Sequence, residues 1–159
     1  MKKGYYLSIS LIVVILDQFT KFFIRTNLWY GETRRIWGDF FRITYRKNPN
    51  AVFGISLGNP QVSLILTIVA FIFVCYLFVI SKEKIFNVSL SFIIGGAVGN
   101  LIDRFVFRGV TDFIDIGFTH LRWFTFNVAD SFVTIGIIIA LISYFVESGK
   151  KDVSSSSVN

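Results

Sequence analysis

The chain has 159 residues, of which 53% are hydrophobic, 18% aromatic and only 16% charged, with a mean hydropathy of +0.64. Soluble domains run at about 45–50% apolar and about 25% charged residues, so this is the composition of a membrane protein; it excludes disorder and collagen, and the lone Cys75 excludes a disulfide scaffold. Sixteen Lys+Arg against ten Asp+Glu leave +6, which in so apolar a chain points to anionic lipid headgroups and not to nucleic acid.

A helix needs about 20 mainly apolar residues to cross about 30 Å of hydrocarbon. The first candidate, 4–24, is interrupted by Asp17 and Lys21. Its opening also fits a secretory signal peptide, but no small-x-small cleavage site follows, so it reads as a retained first helix. In the long segment 25–61, Phe41 to Arg46 alternates apolar and polar as a half-buried strand does. A second span covers 62–80 and a third 85–102, joined by the short polar stretch Ser81-Lys82-Glu83-Lys84, which forces an antiparallel hairpin. Asp103 and Arg104 stop the third span. Segments 110–116 and 120–126 are rich in Val, Ile, Phe, Trp and Thr and can pair with the first strand. A fourth span covers 131–146, and the serine-rich 152–159 reads as a disordered tail.

The expected fold is therefore a mainly α membrane protein. It is a single domain over 1–151, with four transmembrane helices and a small β-sheet and loops on one face. Four spans put both termini on one side and the two long segments on the other, where loops of that length are usually functional. Trp29, Trp37 and Trp123 fall near the interfaces and read as membrane anchors. Gly95, Gly96 and Gly99 read as close-packing positions in the third helix. A raw positive-inside count favours termini outside, whereas the Lys2-Lys3 start of the first helix, which usually dominates, favours termini inside; precedence goes to the first helix.

Four of the ten carboxylates, Asp103, Asp112, Asp115 and Asp130, fall between 103 and 130. Singly each has an ordinary reading. Asp130 suits a helix N-cap, Asp103 a charge stop paired with Arg104, and Asp115 a solvated position. Asp17 and Lys21, four apart on one helix face, suit an ion pair. Together the acids permit the arrangement of an aspartic protease, in which two carboxyls share one proton and activate a water. Spacing does not choose among the six possible pairs.

Five motifs in order make the choice by resemblance. Asp17-Gln18-Phe19-Thr20-Lys21 is similar to D-Q-x-[ST]-K, and Arg46 to Phe53 resembles an N-x-G-A-A-[FW] loop. Gly95 to Arg104 matches G-G-A-x-G-N-x-x-D-R, Val110 to Ile114 is similar to V-V-D-F-I, and Phe126 to Ser131 matches F-N-x-A-D-S. The chain thus resembles lipoprotein signal peptidase (type II signal peptidase), a bacterial membrane aspartyl protease, over essentially its whole length.

The resemblance implies Asp112 and Asp130 as the catalytic pair. It implies Asn48, Asn100, Arg104 and Asn127 as substrate-binding residues, and Asp17, Lys21 and Asp103 as supporting ones, with no metal and no cofactor. It also implies prolipoprotein substrates carrying a diacylglyceryl-modified Cys, cut just before that Cys. Inhibitors would be peptides of the globomycin type, the surroundings membrane lipid, and the working form a monomer in the bacterial inner membrane. The termini would be cytoplasmic and the site extracytoplasmic. Two departures stand out. In the second motif Pro49-Asn50 stands where a Thr-Gly or Asn-Gly step is usual and Val52 where Ala is usual, and in the fourth Thr111 stands where Val is usual.

Three other readings compete. Gly54-Ile55-Ser56-Leu57-Gly58 with His120 fits a G-x-S-x-G serine protease, although the chain has no room for the α/β sheet that such an elbow needs. Intramembrane Asp17 with the loop acids allows a small ion transporter. Asp103, Asp112 and Asp115 offer oxygen ligands for a metal.

Overall fold

A computed structural model describes residues 3–49, 51–52, 55–56 and 58–156. In chain order its elements are α1 (Lys3–Asn27), β1 (Thr33–Trp37), β2 (Phe41–Asn48), β3 (Ala51–Val52), β4 (Ile55–Ser56) and α2 (Pro60–Ile80). There follow α3 (Lys84–Phe107), β5 (Val110–Phe118), β6 (Leu121–Arg122) and α4 (Val128–Ser156). All four helices include a stretch long and apolar enough to cross a membrane.

Local chemistry sets the ends of α2. Asn59 accepts a hydrogen bond from the Gln61 N–H at 2.8 Å and Pro60 occupies the first turn, a standard start. Ser81 is extended, and the chain re-enters a helix at Lys84, which makes the expected hairpin of α2 and α3. The Lys3 ammonium ties the amino end to that joint by donating to the carbonyls of Phe78 and Ser81 and to Asn87 Oδ1. The start of α1 and the joint between α2 and α3 therefore share one end of the bundle.

The central helix is α3, which packs against α1, α2 and α4. A Cβ on Gly96 would stand 2.5 Å from the Ala129 carbonyl oxygen of α4, and one on Gly99 would stand 2.5 Å from Asp17 Oδ2 of α1. Small residues let the backbones approach this closely, as expected of a bundle in lipid. Outward-facing residues such as Phe19, Phe22, Ile65, Val69, Ile72 and Phe73 are exposed. In water that surface would be an aggregation hazard, but it matches a hydrocarbon surround.

The sheet sits at the other end of the bundle, antiparallel in the order β1-β2-β5-β6. The alternating strand at 41–46 is present as β2 and pairs with β5 as anticipated. β1 is an addition to the sequence reading. Its residues are exposed throughout, so no hydrophobic alternation marks it. Conversely, the expected strand 120–126 shrinks to β6 and a single bridge between Ile114 and Phe126.

Helix limits also differ from expectation. Asp103 and Arg104 do not end α3, which runs on to Phe107, because Asp103 is fully buried against cations of α1 that offset the cost of placing its charge inside. Arg108 then takes a left-handed conformation, φ 57°, followed by Gly109, which breaks the helix and turns the chain into β5. α4 begins three residues earlier than expected, at Val128, and continues through Ser156 into the serine-rich stretch.

Candidate active site

Asn127 is the residue around which the acids are arranged. It stands directly before α4, and its side-chain Oδ1 accepts from the Asp130 N–H at 2.9 Å. In return Asp130 Oδ2 accepts from the Asn127 N–H at 3.2 Å. This reciprocal pair is a capping box, so the N-cap is Asn127 and Asp130 is the third residue of the helix, not the cap itself. The spare amide hydrogens of Asn127 go to Asp112 Oδ1 at 2.7 Å and to Asn100 Oδ1 at 3.2 Å. One fully buried side chain therefore contacts both Asp112 and Asp130.

Amide groups occupy the other carboxylate oxygens. Asn100 of α3 donates to Asp130 Oδ1 at 2.8 Å. Asn48, at the end of β2, donates to Asp112 Oδ2 at 3.1 Å. The register explains that reach: Asn48 lies opposite Val110, two residues from Asp112 and on the same face of β5. Burial, and then the charge of Asp130, push the Asp112 carboxyl up to about 7. Arg104 lies nearby on α3, with Nη2 at 3.4 Å from the Ser63 hydroxyl of α2.

Beneath this pair lies a second, wholly buried layer. Lys21 Nζ stands 2.8 Å from Asp17 Oδ2, 3.7 Å from Asp103 Oδ2 and 2.9 Å from Asn100 Oδ1. Asp17 and Asp103 each hold a backbone N–H next to one of the upper acids. Asp17 Oδ1 accepts from Ala129 N at 2.9 Å, and Asp103 Oδ2 accepts from Thr111 N at 2.7 Å. A buried ion pair is costly unless its remaining positions are hydrogen-bonded, and here they are.

All nine residues singled out from the sequence thus lie at one end of the bundle. Two half-buried partners of that lower layer were not among them. Gln18 donates to the Gly99 carbonyl at 2.9 Å and to Asp17 Oδ2 at 3.1 Å. Arg25, counted in the sequence as a loop charge, belongs to the last turn of α1 and stands 3.2 Å from Asp103 Oδ1. The signal was present: residues 17, 21 and 25 recur every four positions, on one helix face.

The competing readings fare less well. His120 is exposed in the turn between β5 and β6, while Gly54 and Leu57 lie outside the described residues, as do Asn50 and Phe53 of the second motif. The Asp17 that ion transport would need is locked to Lys21 and to the Ala129 N–H. Among the described residues no three His, Cys, Asp or Glu side chains gather as metal ligands would, and Asp115 is taken up by Thr44 and Arg122.

The architecture is that of a multi-pass membrane enzyme. A bacterial membrane enzyme solved by the in meso method at 2.3 Å resolution superposes with a TM-score of 0.83 at 34% identity, covering 93% of this chain and 92% of that one. Residues 9–146 match the family described as signal peptidase (SPase) II. The lipoprotein signal peptidase of Staphylococcus haemolyticus is 38% identical over 159 residues, 96% of this chain and 100% of its own. That of Syntrophus aciditrophicus is 34% identical over 147 residues, 88% of this chain and 91% of its own. The chain belongs to the signal peptidase II family of membrane peptidases.

Proposed function

We propose that this chain removes the signal peptide from prolipoproteins whose Cys carries a diacylglyceryl group, by hydrolysing the peptide bond just before that Cys, with Asp112 and Asp130 as an aspartyl dyad. The observation that carries this reading is Asn127, whose buried side-chain amide donates to the Asp112 carboxyl while its backbone N–H donates to the Asp130 carboxyl.

Two acids whose charges interact as these do ionise as a unit and keep one shared proton over an interval of pH. The rise of Asp112 to about 7 supports a dyad that still holds that proton near neutrality. The ionised member takes a proton from water as its oxygen attacks the scissile carbonyl carbon, and the protonated member donates to the carbonyl oxygen. Collapse of the tetrahedral intermediate then breaks the C–N bond as a proton passes to the leaving amine. Asn48, Asn100 and Arg104 are assigned to the substrate backbone, whereas Asn127, expected to join them, is fully buried with both amide hydrogens committed and acts through the two acids. Asp17, Lys21 and Asp103 hold the two acid-bearing segments. A lipid-modified substrate arrives from the bilayer, which suits a site at the mouth of α4, where the first turn carries Asp130. The termini are assigned to the cytoplasm and the sheet to the opposite side.

The test is cleavage of a diacylglyceryl-modified prolipoprotein in detergent by the wild type, Asp112→Asn and Asp130→Asn. Each variant is expected to remain folded and to bind a globomycin-type peptide, yet to lose a factor of about 10²–10⁴ or more in rate. Near-normal cleavage by either variant removes that residue from the dyad and brings Asp103 and Asp115 forward.

A further inference from the structure

Thr111 is buried beside Asp112 and is held at two points. Its N–H donates to Asp103 Oδ2 at 2.7 Å, and its hydroxyl Oγ1 accepts from Arg25 Nη1 at 3.0 Å. The same Nη1 donates to Asp103 Oδ1 at 3.2 Å. Arg25, Asp103 and Thr111 thus close a small ring of hydrogen bonds joining the last turn of α1, the last turns of α3 and the start of β5.

The guanidinium is itself fixed. It lies over the Phe107 ring, 4.1 Å from ring centroid to Cζ, and it occupies the carboxyl end of α1, where a cation is favoured. Successive residues of a strand point to opposite faces. Gripping Thr111 on one side of β5 therefore sets the roll of the strand, and with it the direction in which Asp112 projects on the other. The hydrogen bonds that Asp112 itself receives come from two side-chain amides, whereas the Thr111 clamp restrains the backbone.

We propose that Arg25 is a positioning residue for the reaction, acting through the Thr111 hydroxyl and Asp103 to aim Asp112, and that Thr111, standing where the family pattern has Val, is the partner that lets Arg25 do so. This rests on Asp112 being one of the reacting carboxyls.

The experiment measures kcat and KM on a diacylglyceryl-modified prolipoprotein for the full chain in detergent, with thermal melting of each variant. The variants are Arg25→Met, Thr111→Val, the double variant, Thr111→Ser and Asp112→Asn. Misaiming a reacting group by a fraction of an ångström to 1 Å lowers kcat, so Arg25→Met and Thr111→Val are each expected to lose about tenfold in kcat. KM should stay within about twofold, because the substrate contacts are untouched. The double variant is expected to lose no more than Arg25→Met alone, because both substitutions delete one shared contact. Thr111→Ser, which keeps the hydroxyl, is expected to keep its kcat.

A lowered melting temperature with wild-type kcat in Arg25→Met makes Arg25 merely structural and overturns the proposal, as do losses that multiply in the double variant. Should Arg25→Met fail to fold, the contrast between Thr111→Val and Thr111→Ser decides alone, and equal kcat in those two overturns it. Near-normal cleavage by Asp112→Asn sinks the dyad itself. Its inactivity beside an unaffected Arg25→Met sinks only the positioning.

Discussion

Asn127 performs two tasks with one short side chain. Its oxygen caps α4 through the Asp130 N–H, and its amide nitrogen holds Asp112 of β5. The spacing of Asn127 and Asp130 is that of a cap residue and the third helical residue, so the local motif has a helix-starting logic apart from any chemistry. Titration follows from the same burial. The folded value of Asp112, about 7, lies above its ordinary 3.8. Below the lower value both folded and unfolded chains are protonated there. Between the two, the unfolded chain gives up a proton that the folded chain keeps, so stability declines as pH rises through this window and stays lowered above it. Asp112→Asn removes that group, and its melting temperature relative to wild type is expected to be higher at pH 8 than at pH 5. A difference that does not change with pH would contradict the raised value. Over the same range wild-type cleavage should fall above about pH 7, as the shared proton is lost.

The glycines of α3 decide how the helices meet. The space for a Gly96 side chain is taken by backbone, the Ala129 carbonyl of α4, and by Val133 Cγ2 at 2.6 Å. Overpacking a close contact costs about 1–3 kcal/mol. In Gly96→Ala the strain would fall on the first turn of α4, which bears Asp130. Gly96→Ala is therefore expected to lower both melting temperature and cleavage rate. Gly4→Ala, with no atom within 4 Å of the added carbon, should leave both near wild type. Helix–helix contacts of this kind were legible as a motif of small residues. Which helix each glycine would face was not, because a glycine names no partner. β1 was illegible for a different reason: a fully exposed edge strand has no buried face and hence no alternation to read.

At the scale of the whole molecule, the bundle has two chemically different ends. The amino end of α1 and the Ser81–Glu83 joint lie at one, and the sheet with the buried acids at the other. Trp29, Trp37 and Trp123 are all strongly exposed and lie in or beside the strands, where aromatic side chains suit a membrane interface. Exposed Arg35 of β1 and Lys82 of the joint offer a direct assay of orientation. In a Cys75→Ser background in intact bacterial spheroplasts, a membrane-impermeant maleimide should label Arg35→Cys, and Lys82→Cys only after permeabilisation. The opposite pattern would invert the assigned topology.

Composition and apolar run length by themselves determined the membrane class, the four spans and the hairpin of α2 and α3, because hydrocarbon thickness imposes a length that a sequence displays directly. The motifs, through resemblance, singled out Asp112 and Asp130 among acids that spacing could not rank. Only the tertiary structure decided where the polar side chains go once the bundle closes. It put Asp103 inside a longer α3, made Arg25 part of a helix instead of a loop, and moved the cap of α4 from Asp130 to Asn127. The physical reason is common to all three. A charge or amide in a sequence looks like a boundary with water, and it becomes interior only when partners far along the chain supply its hydrogen bonds. Asp103 reads as a stop until Lys21, Arg25 and the Thr111 N–H are seen around it.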